Sequence, residues 1–128
     1  MITAVTYGVK ISVESIYRKD LSNAENGIFF FNYRVEIENT NSFEIQLLNR
    51  HWYIFDSLNP AREVKGDGVV GEQPTLVPGQ KHVYVSGCDI HSEIGYMKGV
   101  YSFLKIDSNE IFRVPVPQFQ MISTPKLN

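Results

Sequence analysis

The chain has 128 residues, 43% hydrophobic and 20% charged, with a formal net charge of -2. Its lysines and arginines are scattered, which excludes the electropositive face that tracks a phosphate backbone, so no nucleic-acid partner is expected. Cys88 is the single cysteine, which excludes an internal disulfide, and the longest purely apolar run is 28–31, so a soluble cytoplasmic protein without membrane insertion is expected.

One domain of this length buries roughly two thirds of its unfolded surface. Nine Gly and six Pro punctuate a chain rich in Phe and Tyr, the composition of many short strands. Over 7–16, Tyr7, Val9, Ile11 and Val13 alternate with polar residues, a period of two with one wet face, and this is the first predicted strand. After a polar stretch over 18–27, the clearest strand runs over 28–38, where Phe29, Phe31, Tyr33, Val35 and Ile37 share one parity.

Asn39-Thr40-Asn41-Ser42 is a turn cluster leading into a third strand over 44–57. Its parity changes between Leu47 and Trp52, which predicts a bulge within 48–50. A short edge strand is expected over 62–65. Next comes Gly66-Asp67-Gly68-Val69-Val70-Gly71-Glu72-Gln73-Pro74, which spells the dinucleotide-binding G-x-G-x-x-G and then contradicts it. Pro74 and Pro78 forbid the helix whose amides would face a pyrophosphate, so this is a loop between strands.

Pro78-Gly79 reads as the centre of a type II turn before a strand that ends at Gly87. A hairpin of strands over 96–106 and 111–116 follows, and Pro115 and Pro117 confine its second arm to a sheet edge or a bulge. The expected fold is all-β: an immunoglobulin or fibronectin type III-like two-sheet β-sandwich of about seven short strands over residues 1–122, with Trp52 at its centre and a frayed polar tail over 123–128.

Several runs in this order resemble one family, ApaG. They are Gln46-Leu47-Leu48-Asn49-Arg50-His51-Trp52, Val64 with the run 66–74, Leu76-Val77-Pro78-Gly79, Tyr84-Val85-Ser86-Gly87-Cys88, Met97-Lys98-Gly99-Val100-Tyr101, and Val114-Pro115-Val116-Pro117-Gln118-Phe119. The resemblance spans nearly the whole chain and implies a fibronectin-type sandwich. It also implies a link to cobalt tolerance and magnesium efflux, and a domain that binds other proteins. The chain departs from the family pattern at Asp89-Ile90-His91-Ser92-Glu93, where a Pro-Leu continuation is commoner.

The residues offer several chemistries. Arg50, His51, Gly66, Gly68, Gly71 and Glu72 are the candidate partner-binding residues, on a loop positioned by a rigid sandwich. A nest of loop amides aided by Arg50, Arg62 or Lys65 would hold pyrophosphate or a nucleotide, but Asp67 and Glu72 oppose it. Cys88, Asp89 and His91, with His82, offer soft ligands for a divalent metal without the spacing of a closed site, so no metal is assigned. Ser86 and Cys88 as nucleophiles, with His51, His82 and His91 as bases, form no catalytic motif. The expected protein is a non-enzymatic binding module, monomeric or homodimeric, with a protein partner and no cofactor; the alternative is a small-ligand or divalent-metal sensor.

Overall fold

A computed structural model describes residues 1–123. Among these residues nine strands form two antiparallel sheets, with two short 3-10 turns as the only helical elements. The strands are β1 (Ile2–Thr6), β2 (Val9–Tyr17), β3 (Phe29–Asn39), β4 (Ile45–Asp56), β5 (Arg62–Asp67), β6 (Thr75–Leu76), β7 (Lys81–Ile90), β8 (Ile94–Lys105) and β9 (Glu110–Ile122). The first sheet has the order β1-β2-β3-β7 and the second β5-β4-β8-β9, with β6 continuing the β5 edge of β4. The expected all-β, two-sheet sandwich is what forms, with nine strands where about seven were predicted. No helix among the described residues is long and apolar enough to cross a membrane.

The alternation that predicts β3 also builds it. Buried and half-buried positions alternate without a break from Phe29 to Asn39, because only one face of a pleated strand meets the opposite sheet. The core collects Val9, Ile11 and Val35 from the first sheet, and Leu47, Trp52 and Phe103 from the second. Trp52 is 2% exposed and meets Tyr33, Tyr101 and Phe119 edge-on with ring centroids 5.5 to 6.0 Å apart. The single tryptophan is therefore the central core aromatic, as its position in the pattern predicts.

Three boundaries move. The first strand does not begin at Tyr7: Tyr7 and Gly8, at φ 50 and 72, form a two-residue turn joining β1 to β2. Tyr-Gly is a weak turn signal by itself, and Asn41 and Thr40 secure it by donating to the carbonyls of Tyr7 and Gly8. β7 continues past Gly87 to Ile90, pairing Cys88, Asp89 and Ile90 with Phe31, Phe30 and Phe29 of β3, and the Phe30 ring covers the space where a side chain at 87 would stand. β9 runs to Ile122, so the strand passes through both prolines; it is a sheet edge, and its register shifts where Pro117 and Gln118 face Lys98. Ser123 is buried and its amide donates to Glu93, whereas the remainder of the predicted tail, 124–128, lies outside the described residues.

The sandwich is closed along one side and open along the other. On the closed side Ser15 Oγ of β2 donates to the Gln120 carbonyl of β9 at 2.6 Å. On the open side, β7 and β5 are the facing sheet edges.

Candidate functional site

The glycine run is a tight hairpin, not a helix start. Gly66 and Asp67 end β5; the Gly68 amide then donates to Leu48, and Val69 and Glu72 exchange backbone bonds of 2.8 and 3.0 Å around Val70 and Gly71. Val70 and Gly71 have φ of 48 and 77, the signature of a type I′ turn. The amides of Gly68, Val69 and Glu72 are thereby spent on carbonyls and cannot cradle a phosphate. The hairpin stands over the predicted bulge: the register of β4 shifts between Leu47 and Asn49, and Leu48 O accepts from both Gly68 N and Gln73 Nε2.

The bulge precedes Arg50, so beyond it strict alternation holds. Arg50 and Trp52 face the core side of the second sheet and His51 faces outward. Arg50 passes beneath β5. Its Nη1 donates to the carbonyls of Asp67 and Gly68, both at 3.0 Å, and the guanidinium fills the space under Gly66. Among the described residues Arg50 joins no ion pair, and it is half-buried.

His51 stacks on Tyr53 with centroids 4.3 Å apart and lies 3.7 Å from the Glu63 carboxylate. His51 and Tyr53 line an open groove of about 510 Å³ crossing the outer face of the second sheet, together with Lys65, Asp67, Ser102 and Arg113. Antiparallel register makes the row: Asp67 opposes Asn49, Asn49 opposes Ser102, and Ser102 opposes Arg113. Val70, at the hairpin tip, is 60% exposed. Glu72 leans the other way, its carboxylate 3.7 Å from His82 Nε2 on β7, so the hairpin reaches the first sheet across the open side.

The structure thus gathers Arg50 with Gly66 and Gly68, puts His51 on the opposite face of the strand, and sets Glu72 against His82. Tyr53, Ser102 and Arg113 were not singled out from the sequence. Parity places Tyr53 beside His51, but strand pairing between segments fifty residues apart is written in no local pattern.

A second concavity, of about 280 Å³, opens between β5 and β7. Arg50, Trp52, Arg62 and Tyr33 line it together with Ser86 and Cys88. The Cys88 thiol is buried, and burial pushes its pKa up against the opposing Arg62 guanidinium, whose Nη2 lies 3.5 Å from Sγ. Arg62 favours the thiolate, but burial outweighs it and favours the protonated thiol, which is neither the metal-ligating nor the nucleophilic form. Asp89, which also lines the cleft, lies 3.9 Å from His91, and among the described residues no group of three His, Cys, Asp or Glu is gathered to hold a metal. No histidine hydrogen-bonds Ser86 or Cys88 among the described residues.

Comparison with known proteins places this geometry. The family model described as the ApaG domain matches residues 19–105. Protein ApaG of Bradyrhizobium diazoefficiens is 39% identical over 123 residues, covering 96% of this chain and 94% of that protein. Protein ApaG of Acidithiobacillus ferrooxidans is 42% identical over 113 residues, covering 88% of each. The crystal structure of an ApaA protein from Bordetella pertussis superposes with a TM-score of 0.87 at 36% identity, covering 93% of this chain and 95% of that one. The chain belongs to the ApaG domain family.

Proposed function

We propose that this ApaG-family chain is a non-enzymatic module that binds another protein through the outer face of β4 and β5 and the adjoining glycine hairpin. The carrying observation is the groove itself. It is open and shallow, it crosses neighbouring strands of a rigid sheet, and it mixes an aromatic-stacked imidazole with Lys65, Arg113 and Asp67. Tyr and Arg on a solvated face, with polar groups around them, make the composition of a protein-contact surface. The exposed Val70 adds an apolar tip held rigid by its turn.

In this reading the roles of the candidate residues divide. His51 touches the partner. Arg50, Gly66 and Gly68 hold the hairpin in place, and Gly71 lets it turn. Glu72 fixes the hairpin to β7 through His82. The cation phenotypes that the family resemblance implies would then be exerted through the partner, because Cys88 and His91 do not converge.

The test is a photo-crosslinking amino acid in place of His51, with the same replacement at Lys10 on the outer face of the first sheet as the reference. Protein adducts formed from position 51 and not from position 10 support the reading. No adduct from position 51 removes it.

A further inference from the structure

We propose that the lateral cleft between β5 and β7 is a binding site for a small tetrahedral oxyanion of the phosphate class, held by Arg50 and Arg62 above the Trp52 indole. The site differs from the outer groove and does not depend on the protein-binding reading.

Charge comes first. Arg50 brings a half-buried guanidinium with no carboxylate partner among the described residues, and Nη1 alone is committed to the hairpin carbonyls. A desolvated cation without a counter-ion is costly, and a bound anion relieves that cost. Arg62 stands at the other end, hydrogen-bonded through Nη2 to the Asp89 carbonyl. Its own acidic neighbour, Asp89, is 51% exposed and 3.8 Å away, which leaves the guanidinium only partly neutralised.

The lining between them offers donors, and Asp89, at the Arg62 end, is its one acidic residue. Trp52 is 2% exposed and its Nε1–H has no hydrogen-bond partner. The six-membered edge of the indole, Cε3 and Cζ3, packs over Gly99 on β8. β4 lies between β8 and β5, so the opposite edge, which carries Nε1, lies on the β5 side, with Nε1 itself closed off from solvent. Buried polar groups are rarely left unpaired, so a buried, unpaired N–H on a residue that lines a cavity beside two arginines points to an acceptor that reaches it from that cavity. Tyr33 and Ser86, cross-strand neighbours in the facing sheet, add two hydroxyls. Burial raises the Tyr33 pKa, which keeps that phenol a donor. The cavity of about 280 Å³ holds a tetrahedral oxyanion together with waters at roughly 30 Å³ each. The amides of Gly68, Val69 and Glu72 are not part of the site, since they are already paired.

Trp52, the one tryptophan, reports on occupancy. Its fluorescence is followed while inorganic phosphate, pyrophosphate or O-phosphoserine is added at ionic strength held constant with chloride. A saturable change is expected, with the affinity reduced about tenfold or more in Arg50→Gln and also reduced in Arg62→Gln, while Lys19→Gln, an exposed cation on a 3-10 turn, behaves as wild type. Saturation by phosphate or pyrophosphate supports a free ion as the occupant; saturation by O-phosphoserine alone supports a phosphoryl group carried on a larger partner. The absence of saturable change with all three overturns the proposal. So does unchanged affinity in Arg50→Gln with its melting curve intact, and if that variant fails to fold, unchanged affinity in Arg62→Gln decides against it.

Discussion

The guanidinium of Arg50 occupies the place a side chain at Gly66 would take: a β-carbon built at 66 would stand 2.7 Å from Nη1 and 2.8 Å from Cζ. Glycine at 66 is therefore required by the arginine rather than by backbone conformation, because Gly66 does not adopt positive φ. The atom in the way is the far end of a flexible side chain, which can move. Gly66→Ala is expected to cost about 1 kcal/mol, the net worth of the hydrogen bonds Arg50 gives up. Combined with Arg50→Ala it should cost less than the sum of the two single changes, as thermal melts of the four proteins will show.

Gly68 makes the opposite case. At φ +58 a β-carbon would lie 2.0 Å from the Glu72 carbonyl oxygen, a backbone atom fixed by the hairpin's own bonds. Gly68→Ala is expected to lose about 2 kcal/mol or more, combining left-handed strain with a clash that opens the hairpin. Gly71, at φ +77 with nothing within 4 Å, carries the strain alone, and its alanine variant should lose about 1 kcal/mol. Denaturant midpoints of the two variants test the order.

The glycine run shows what local sequence can and cannot tell. Pro74 and Pro78 rule out a helix without any knowledge of the fold, and the parity change from Leu47 to Trp52 places a bulge. That the bulge and the hairpin are one feature, joined at the Leu48 carbonyl, depends on strand pairing, which periodicity does not encode. The same limit hid the groove. Arg113 reaches His51's face only because β8 lies between β4 and β9. β1 was missed for a nearer reason: the pattern 7, 9, 11, 13 runs straight through a two-residue turn, and Tyr-Gly carries little turn signal of its own.

Asp56 gives the fold an acid limit. Its residue is 7% exposed; burial would raise its pKa, but the Ser92 hydroxyl, the His91 amide and Asn59 outweigh burial and hold the carboxyl below its ordinary value. Oδ2 accepts from His91 N at 2.6 Å. A depressed folded-state pKa contributes stability above the unfolded value, near 3.9, that is lost as pH falls toward the folded value. Asp56→Asn is expected to destabilise the protein at neutral pH by about 1 to 3 kcal/mol and to flatten the stability profile below about pH 4. Urea melts at a series of pH values measure both.

Tyr84 of β7 and Tyr101 of β8 hydrogen-bond through their hydroxyls and tie the two sheets together inside the core. Burial raises the pKa of both phenols, so both remain protonated across the working range. Tyr101→Phe leaves the Tyr84 hydroxyl buried and unpaired, and should cost about 1 to 3 kcal/mol. Replacing both with Phe removes the orphan as well as the bond, and the double variant should be at least as stable as Tyr101→Phe. Thermal unfolding of the single and double variants decides it.

The outer face of β4 and β5 is the proposed protein-contact surface. Its most direct measurement is quantitative affinity capture from cell extract with the wild-type chain, His51→Ala, Lys65→Ala and, on the other sheet, Lys10→Ala, each verified as folded by its melting curve. A specific set of proteins is expected to be captured equally by wild type and Lys10→Ala and lost from both groove variants. Equal capture by all four chains would rule out this surface as the contact.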